Sequence, residues 1–379
     1  MLDQYTGRYD VFGFTVDISV VDGELLAAVP GVPTGYEVLM TPVGEHAFRM
    51  ESGPFRGAVM GAVFGDDGVS GFQAGPFLIN RTADDAPYTP RLLAPPLQLD
   101  AAKEAAFAAL LADILAGKVD WIDERLAYPK HEFIQYVMAQ EVVLFHSSNR
   151  DDIDVFEPVR KSVELRDETG RGNQQGIYAT HDGLWSMFFG VVDRGRLQGS
   201  IRNGVSHFHN RAGDELAVYN FSINQHQLAD HPYCNGALYF LPRDRFTRMM
   251  MFADIPSNEW VCREQLRPLA RLHLKPSDFP FLEQIAGHDD GPLLRLNELT
   301  GLVREAATSA HNEEDRFVVI LPADAEAVEH LDEYLALLAE FMPGRYSLEP
   351  HGAEIHWIVQ NPSPAQAQTL KDLYAPLLK

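Results

Sequence analysis

Cysteine is nearly missing from this sequence. Cys234 and Cys262 are the only two, without CxxC spacing, which excludes a disulfide framework and a cysteine-based zinc site and fits a reducing compartment. Basic residues are scarce as well: 31 Lys and Arg stand against 54 Asp and Glu, for a formal charge of -23. Such a field repels phosphate backbones and anionic lipid and favours solubility. A nucleic-acid partner would need a local basic patch, and Arg194, Arg196, Arg202 and Arg211, spread over 18 residues, make a thin one. Long apolar runs are absent too, since nothing approaches the ~18 consecutive apolar residues of a membrane helix. The opening MLDQYTGRYD lacks the basic start, apolar stretch and small-residue cleavage site of a secretory leader. The expected setting is the cytoplasm, away from membranes.

What is present is enough apolar material for real cores. With 379 residues and 46% hydrophobic content, two or three domains of ordinary size are expected. The predicted class is α+β and multi-domain, in four segments: a small antiparallel β-barrel over 1–82, a linker and helical segment over 83–142, a central split-sheet domain over 143–285, and a helical connector with a small α+β module over 286–379.

The first segment reads as short strands. Phe14, Val16, Ile18 and Val20 alternate with Thr15, Asp17 and Ser19, the period of a half-buried strand, and Asp22-Gly23 supplies the positive φ angles of a tight hairpin. Gly31-Val-Pro33, Pro42-Val-Gly44, Ser52-Gly-Pro54 and Asp66-Asp-Gly68 punctuate the rest. The stretch YTGRYDVFGFTVDISVVDGELLAAVPG, followed by LMTPVGEHAFRM and VFGDDGVSGF, resembles the small β-barrel appended to serine β-lactamase-like hydrolases. The Ser-x-x-Lys nucleophile motif of those hydrolases does not accompany it, so the resemblance implies a binding or scaffolding role.

Beyond the Pro-rich stretch TADDAPYTPRLLAPPLQ, Asp100 is placed to cap a helix carrying Phe107, Leu110, Leu111, Ile114 and Leu115 at helical spacing. Residues 132–142 read as a second helix or as the lead into a strand. At the other end, a helical NELTGLVREAATSA precedes a strand at RFVVILP, a helix through Val328, Leu331, Leu335 and Leu338, and a hairpin SLEPHGAEIHWIV, a βαββ order.

The central segment holds the unusual polar residues. Cutting the bond between nicotinamide and ribose in NAD passes through an oxocarbenium-like state, which calls for hydrogen bonds to the ribose hydroxyls and an aromatic wall for the departing ring. The types needed occur in order: His146 ends the strand VVLFH, Tyr178 sits in GIYAT before HDGLWSMFFG, and Glu259 lies in SNEWV. These stretches, with IDVFEP after the serines, resemble the diphtheria-toxin-type ADP-ribosyltransferases. That resemblance implies a mono-ADP-ribosyltransferase with NAD as substrate. His146 would orient the ribose and carboxamide, Tyr178 stack on nicotinamide, and Glu259 bond the ribose 2-hydroxyl and activate the acceptor.

The family commonly has Gly after the His, where this chain has Ser147. Ser147, Ser148 and Thr180 are expected around the nucleotide, and Asn220 and Ser222 of YNFSIN along the cleft; Glu264 competes with Glu259 for the acid. The acceptor is expected to be a macromolecule, a protein rather than a nucleic acid. Two alternatives stand beside transfer: NAD hydrolysis at the same site, and a non-catalytic binding protein. His207, His209, His226, His231 and Cys234 form a competing constellation, but no HExxH-type motif closes a metal set, and no metal is expected.

Overall fold

A computed structural model describes residues 2–378 apart from 12–13, 66–67, 76, 86–87, 89, 162–174, 198, 211, 251–254, 314, 342–344, 363–366, 368–369 and 372. The Asp66-Asp67 part of one expected turn and Arg211 of the basic stretch therefore lie outside the described residues. The chain forms two compact units, Met1–Arg160 with Gln175–His288, and Lys161–Gln174 with Asp289–Lys379.

The first unit begins with β1 (Gly7–Val11), β2 (Phe14–Val21), β3 (Glu24–Ala28), β4 (Val38–Gly44), β5 (Ala47–Met50), β6 (Val59–Gly65), β7 (Gly68–Ala74) and β8 (Phe77–Thr82). Each pairs antiparallel with the next and β8 returns to β1, with Tyr9 opposite Arg81, so the sheet closes into an eight-stranded barrel. The Asp22-Gly23 turn has φ of 53° and 81°, the left-handed pair that a two-residue hairpin requires. Aromatic rings fill part of the interior, Tyr5 against Phe48 at 4.8 Å and Tyr9 against Phe72 at 5.0 Å. The buried Tyr9 hydroxyl donates to the Tyr5 carbonyl at 2.8 Å, so no polar group is stranded there.

Within the Pro-rich stretch, β9 (Leu92–Leu93) forms before α1 (Ala101–Leu115). Asp100 caps α1 by accepting from the Lys103 amide at 2.8 Å; Phe107, Leu110, Leu111 and Ile114 are buried as their spacing predicts, whereas Leu115, at the last turn of the helix, is 47% exposed. The second helix, α2 (Lys130–Gln140), ends where Glu141 turns left-handed at φ 54°. The chain continues through β10 (Val143–Ser148), β11 (Arg160–Lys161), β12 (Gln175–Thr180), α3 (Gly183–Val191), β13 (Ile201–His209), β14 (Glu215–Asn224) and α4 (Gln225–Leu228). The first unit ends with β15 (Gly236–Pro242), β16 (Thr247–Met250), β17 (Pro256–Cys262), β18 (Ala270–Leu274) and β19 (Ala286–His288).

Seven of these strands make one sheet in the order β16-β17-β12-β10-β15-β18, with β11 beside β12. Its edges are irregular. The ladder of β16 slips between Arg248 and Met250; beyond β18, Trp121 bridges Arg271, whose backbone also bonds Asp120 and Ile122. A second sheet runs β13-β14-β19, with β9 also on β14.

Helix α3 is apolar nearly all round, as a helix enclosed by protein must be. Leu184, Met187, Phe188 and Val191 share a core with Phe145, Leu238 and Phe240 of the first sheet and Tyr219, Phe221 and Ile223 of the second. Gly183 starts it because a Cβ there would meet Ile134 Cγ2 at 2.4 Å and Phe145 at 3.2 Å.

The second unit contains α5 (Gly291–Ala306), β20 (Ser309–Asn312), β21 (Arg316–Pro322), α6 (Leu331–Phe341), β22 (Arg345–His351) and β23 (Glu354–Gln360). Its sheet runs β20-β21-β23-β22 and shares a core with α5 and α6 around Trp357, Phe317 and Tyr334. The expected βαββ order gains a strand: the helix stops at Ala306, and Ser309 and Ala310, read as its continuation, belong with His311 and Asn312 to a strand that pairs with β21. Among the described residues, no helix is long and apolar enough to cross a membrane.

Candidate active site

Strand β10 is treated differently on its two edges. Against β15 all six residues pair, from Val143 opposite Pro242 to Ser148 opposite Ala237. Against β12 the ladder holds Phe145 opposite Thr180. The His146 side chain takes the place of a backbone donor there, its Nδ1 donating to the Tyr178 carbonyl at 2.7 Å. In the neutral ring, that bond makes Nε2 the acceptor nitrogen. Phe156 holds the imidazole edge-on at 5.1 Å.

On the other side of β12, β17 pairs in register, with Tyr178 opposite Val261 and Thr180 opposite Glu259. Opposed residues in an antiparallel pair share a face, and alternate residues share it too, so Tyr178, Thr180 and Glu259 project together. The Tyr178 ring packs with Val261 and Met249.

A cleft of about 290 Å³ opens here, lined by His146, Ser147, Ser148, Tyr178, Thr180 and Glu259. Six residues named from the sequence are thus brought together. Glu264 is elsewhere: its side chain is 73% exposed and pairs with Arg245 at 2.5 Å. Asn220 and Ser222 lie on β14 and do not line this cleft. Ser222 is fully buried and bonds His288 Nδ1 at 2.8 Å. His207 and His209 both turn to Glu215, at 2.9 and 3.2 Å, and among the described residues no group of three His, Cys, Asp or Glu is set to hold a metal ion.

The sequence reading missed several wall residues. Trp185 and Ser186 from α3, Asn149 after β10 and Arg194 beyond α3 also line the cleft. Ser147 is buried and its hydroxyl lies 3.1 Å from that of Ser186, so Ser147 ties β10 to α3. Asn149 Nδ2 reaches the carbonyls of Phe189, Gly190 and Val192 at 3.0 to 3.3 Å, satisfying acceptors that every helix end leaves open. Trp185 is fixed by its Nε1 donating to Asn203 Oδ1 at 2.7 Å.

Buried Asp182 and partly buried His181 stand beside the wall. Asp182, fully buried, caps α3 by accepting from the Trp185 amide at 2.7 Å and accepts from the Tyr219 hydroxyl at 2.8 Å. Burial raises its pKa above the ordinary carboxyl value against these donors, and burial beside Asp182 raises that of Tyr219 well above a normal phenol. His181 accepts from Trp260 Nε1 at 3.3 Å. Burial first, then the charges of Arg248, His207 and Arg243, lower its pKa to about 4. The imidazole is therefore neutral at physiological pH, as its acceptor role requires. Trp260, next to Glu259, also lies under the guanidinium groups of Arg243 and Arg248, at 5.0 and 5.8 Å.

Comparison of the chain with protein-family models, with curated proteins and with solved structures finds no match.

Proposed function

We propose that this cleft binds NAD and that the protein is a mono-ADP-ribosyltransferase, its central region an ADP-ribosyltransferase-like split sheet. The observation that carries the reading is the convergence of His146, Tyr178 and Glu259, distant in sequence, on one cleft from the neighbouring strands β10, β12 and β17. In this reading Tyr178 offers its ring to nicotinamide and His146 orients the adjacent ribose. Arg194 at the rim faces the diphosphate.

The bond between ribose C1′ and the nicotinamide nitrogen breaks, and its electron pair leaves with the ring, which departs neutral. Glu259 accepts a hydrogen bond from the ribose 2′-hydroxyl, which strengthens as positive charge grows on the sugar. The acceptor then bonds C1′ and passes its proton to the carboxylate. With a net charge of -23, a protein acceptor fits better than a nucleic acid.

Incubating the purified chain with NAD should release nicotinamide, and NAD labelled on its adenylate half should mark a protein band in a lysate. Release without labelling would make water the acceptor and the protein an NAD glycohydrolase. Saturable NAD binding without release would leave a binding protein, and absence of both would end the reading.

A further inference from the structure

The barrel interior is packed unevenly. Beside the cluster of Tyr5, Tyr9, Phe48 and Phe72 lies a cavity of about 210 Å³, larger than the ~150 Å³ engineered cavity that takes up benzene. Small residues at inward-facing positions create the space, Ala27 on β3 and Ala74 on β7, each 2% exposed. Val16, Ile18, Met60 and Ile79 line it, and none of its sixteen lining residues is charged. Ser52, Pro54 and Phe55, between β5 and β6, are half-buried and form a rim with Ser206 of β13. Phe208, two residues along β13 and 1% exposed, also faces the cavity.

Eight strands give a barrel just wide enough to hold either packed side chains or one small ligand. An apolar wall favours hydrocarbon over water and makes burial of a charged group very unfavourable. Ser52 and Ser206 stand at the rim, and the cavity wall itself is almost wholly apolar.

We propose that the barrel is a binding site for a small uncharged aliphatic molecule. Its hydrocarbon chain occupies the cavity. Nothing in this assignment depends on NAD chemistry in the other cleft.

The test is a fluorescence titration of the full chain with 1-aminoanthracene, followed by displacement with 1-octanol. One saturable, displaceable site is expected. Ala74→Leu, which fills the cavity, should weaken binding at least tenfold, while Glu259→Gln leaves it unchanged. Should Ala74→Leu fail to melt cooperatively, methyl carbon NMR of the methionines in the unaltered chain decides: 1-octanol should shift Met50 and Met60, which line the cavity, and leave Met187, in the core around α3. Absence of saturable binding, unchanged affinity in folded Ala74→Leu, or unmoved Met50 and Met60 signals would each overturn the proposal.

Discussion

The barrel and the central sheet spend their backbone hydrogen bonds in opposite ways. In the barrel every strand is laddered on both sides around a closed circuit, and the cavity inside is walled mainly by apolar side chains. In the central sheet β10 is laddered fully to β15 but meets β12 at Phe145 and Thr180. Where those two strands part, an imidazole, a phenol, hydroxyls and a carboxylate share a cleft. Closure leaves an apolar interior, whereas a seam left partly unzipped gathers polar side chains.

Glu259→Gln is the strongest way to break this contrast. It keeps the shape of the residue opposite Thr180 and removes only the charge, so nicotinamide release should fall at least ~100-fold, as for loss of a group that stabilises developing charge, with the melting temperature retained. Equal turnover in the variant would strip the seam of its assigned chemistry.

Next comes Asp182→Ala, which removes the α3 cap and leaves the Tyr219 hydroxyl buried without its acceptor. Chemical denaturation should show a loss of about 3 kcal/mol, and Asp182→Asn should recover much of it. A loss below about 1 kcal/mol would mean that the wall behind the cleft does not rest on this carboxyl.

The pH dependence is a further probe. His181 titrates at 6.5 when unperturbed and at about 4 in the fold. Above 6.5 both states hold it neutral and it contributes nothing to the pH dependence. As pH falls from 6.5 toward 4 the unfolded chain takes up the proton first, so stability declines, and below 4 the loss is complete, at about 3 kcal/mol. Denaturation of the unaltered chain and of His181→Gln at pH 7.5 and 4.5 isolates this contribution. The stability of the unaltered chain relative to the variant should fall by about 2 to 3 kcal/mol at the lower pH, and a constant difference would reject the buried neutral imidazole.

The smallest expected change is Tyr178→Ala. Loss of stacking should weaken NAD binding by about 2 kcal/mol, read by calorimetry, while Tyr178→Phe stays near the unaltered affinity. Unchanged affinity in the alanine variant would leave Tyr178 as packing for Val261 and Met249.

Local chemistry was the legible part of the sequence. The Asp-Gly turn, the Asp100 cap and four of the five apolar positions named on α1 depend on neighbours a few residues away, and they stand where spacing put them; Leu115, at the helix end, does not. Ser309–Asn312 was not legible, because TSA continues a helical composition and only its partner β21 makes it a strand. In the candidate site, His146, Tyr178 and Glu259 were marked by strand ends and neighbouring motifs. Trp185, Ser186 and Arg194 come to the same cleft through the packing of α3 and the chain after it, which no local pattern announces. Residue type alone misleads in the other direction: Ser222, picked as a polar strand residue, is enclosed against His288.

The irregular borders of the central sheet have a consequence for association. A straight row of unmet amides invites another chain to add a strand. The slipped ladder at Arg248 breaks that row on one side, and the segment through Asp120, Trp121 and Ile122 occupies part of it on the other. Growth by edge-to-edge pairing is thereby discouraged at both borders.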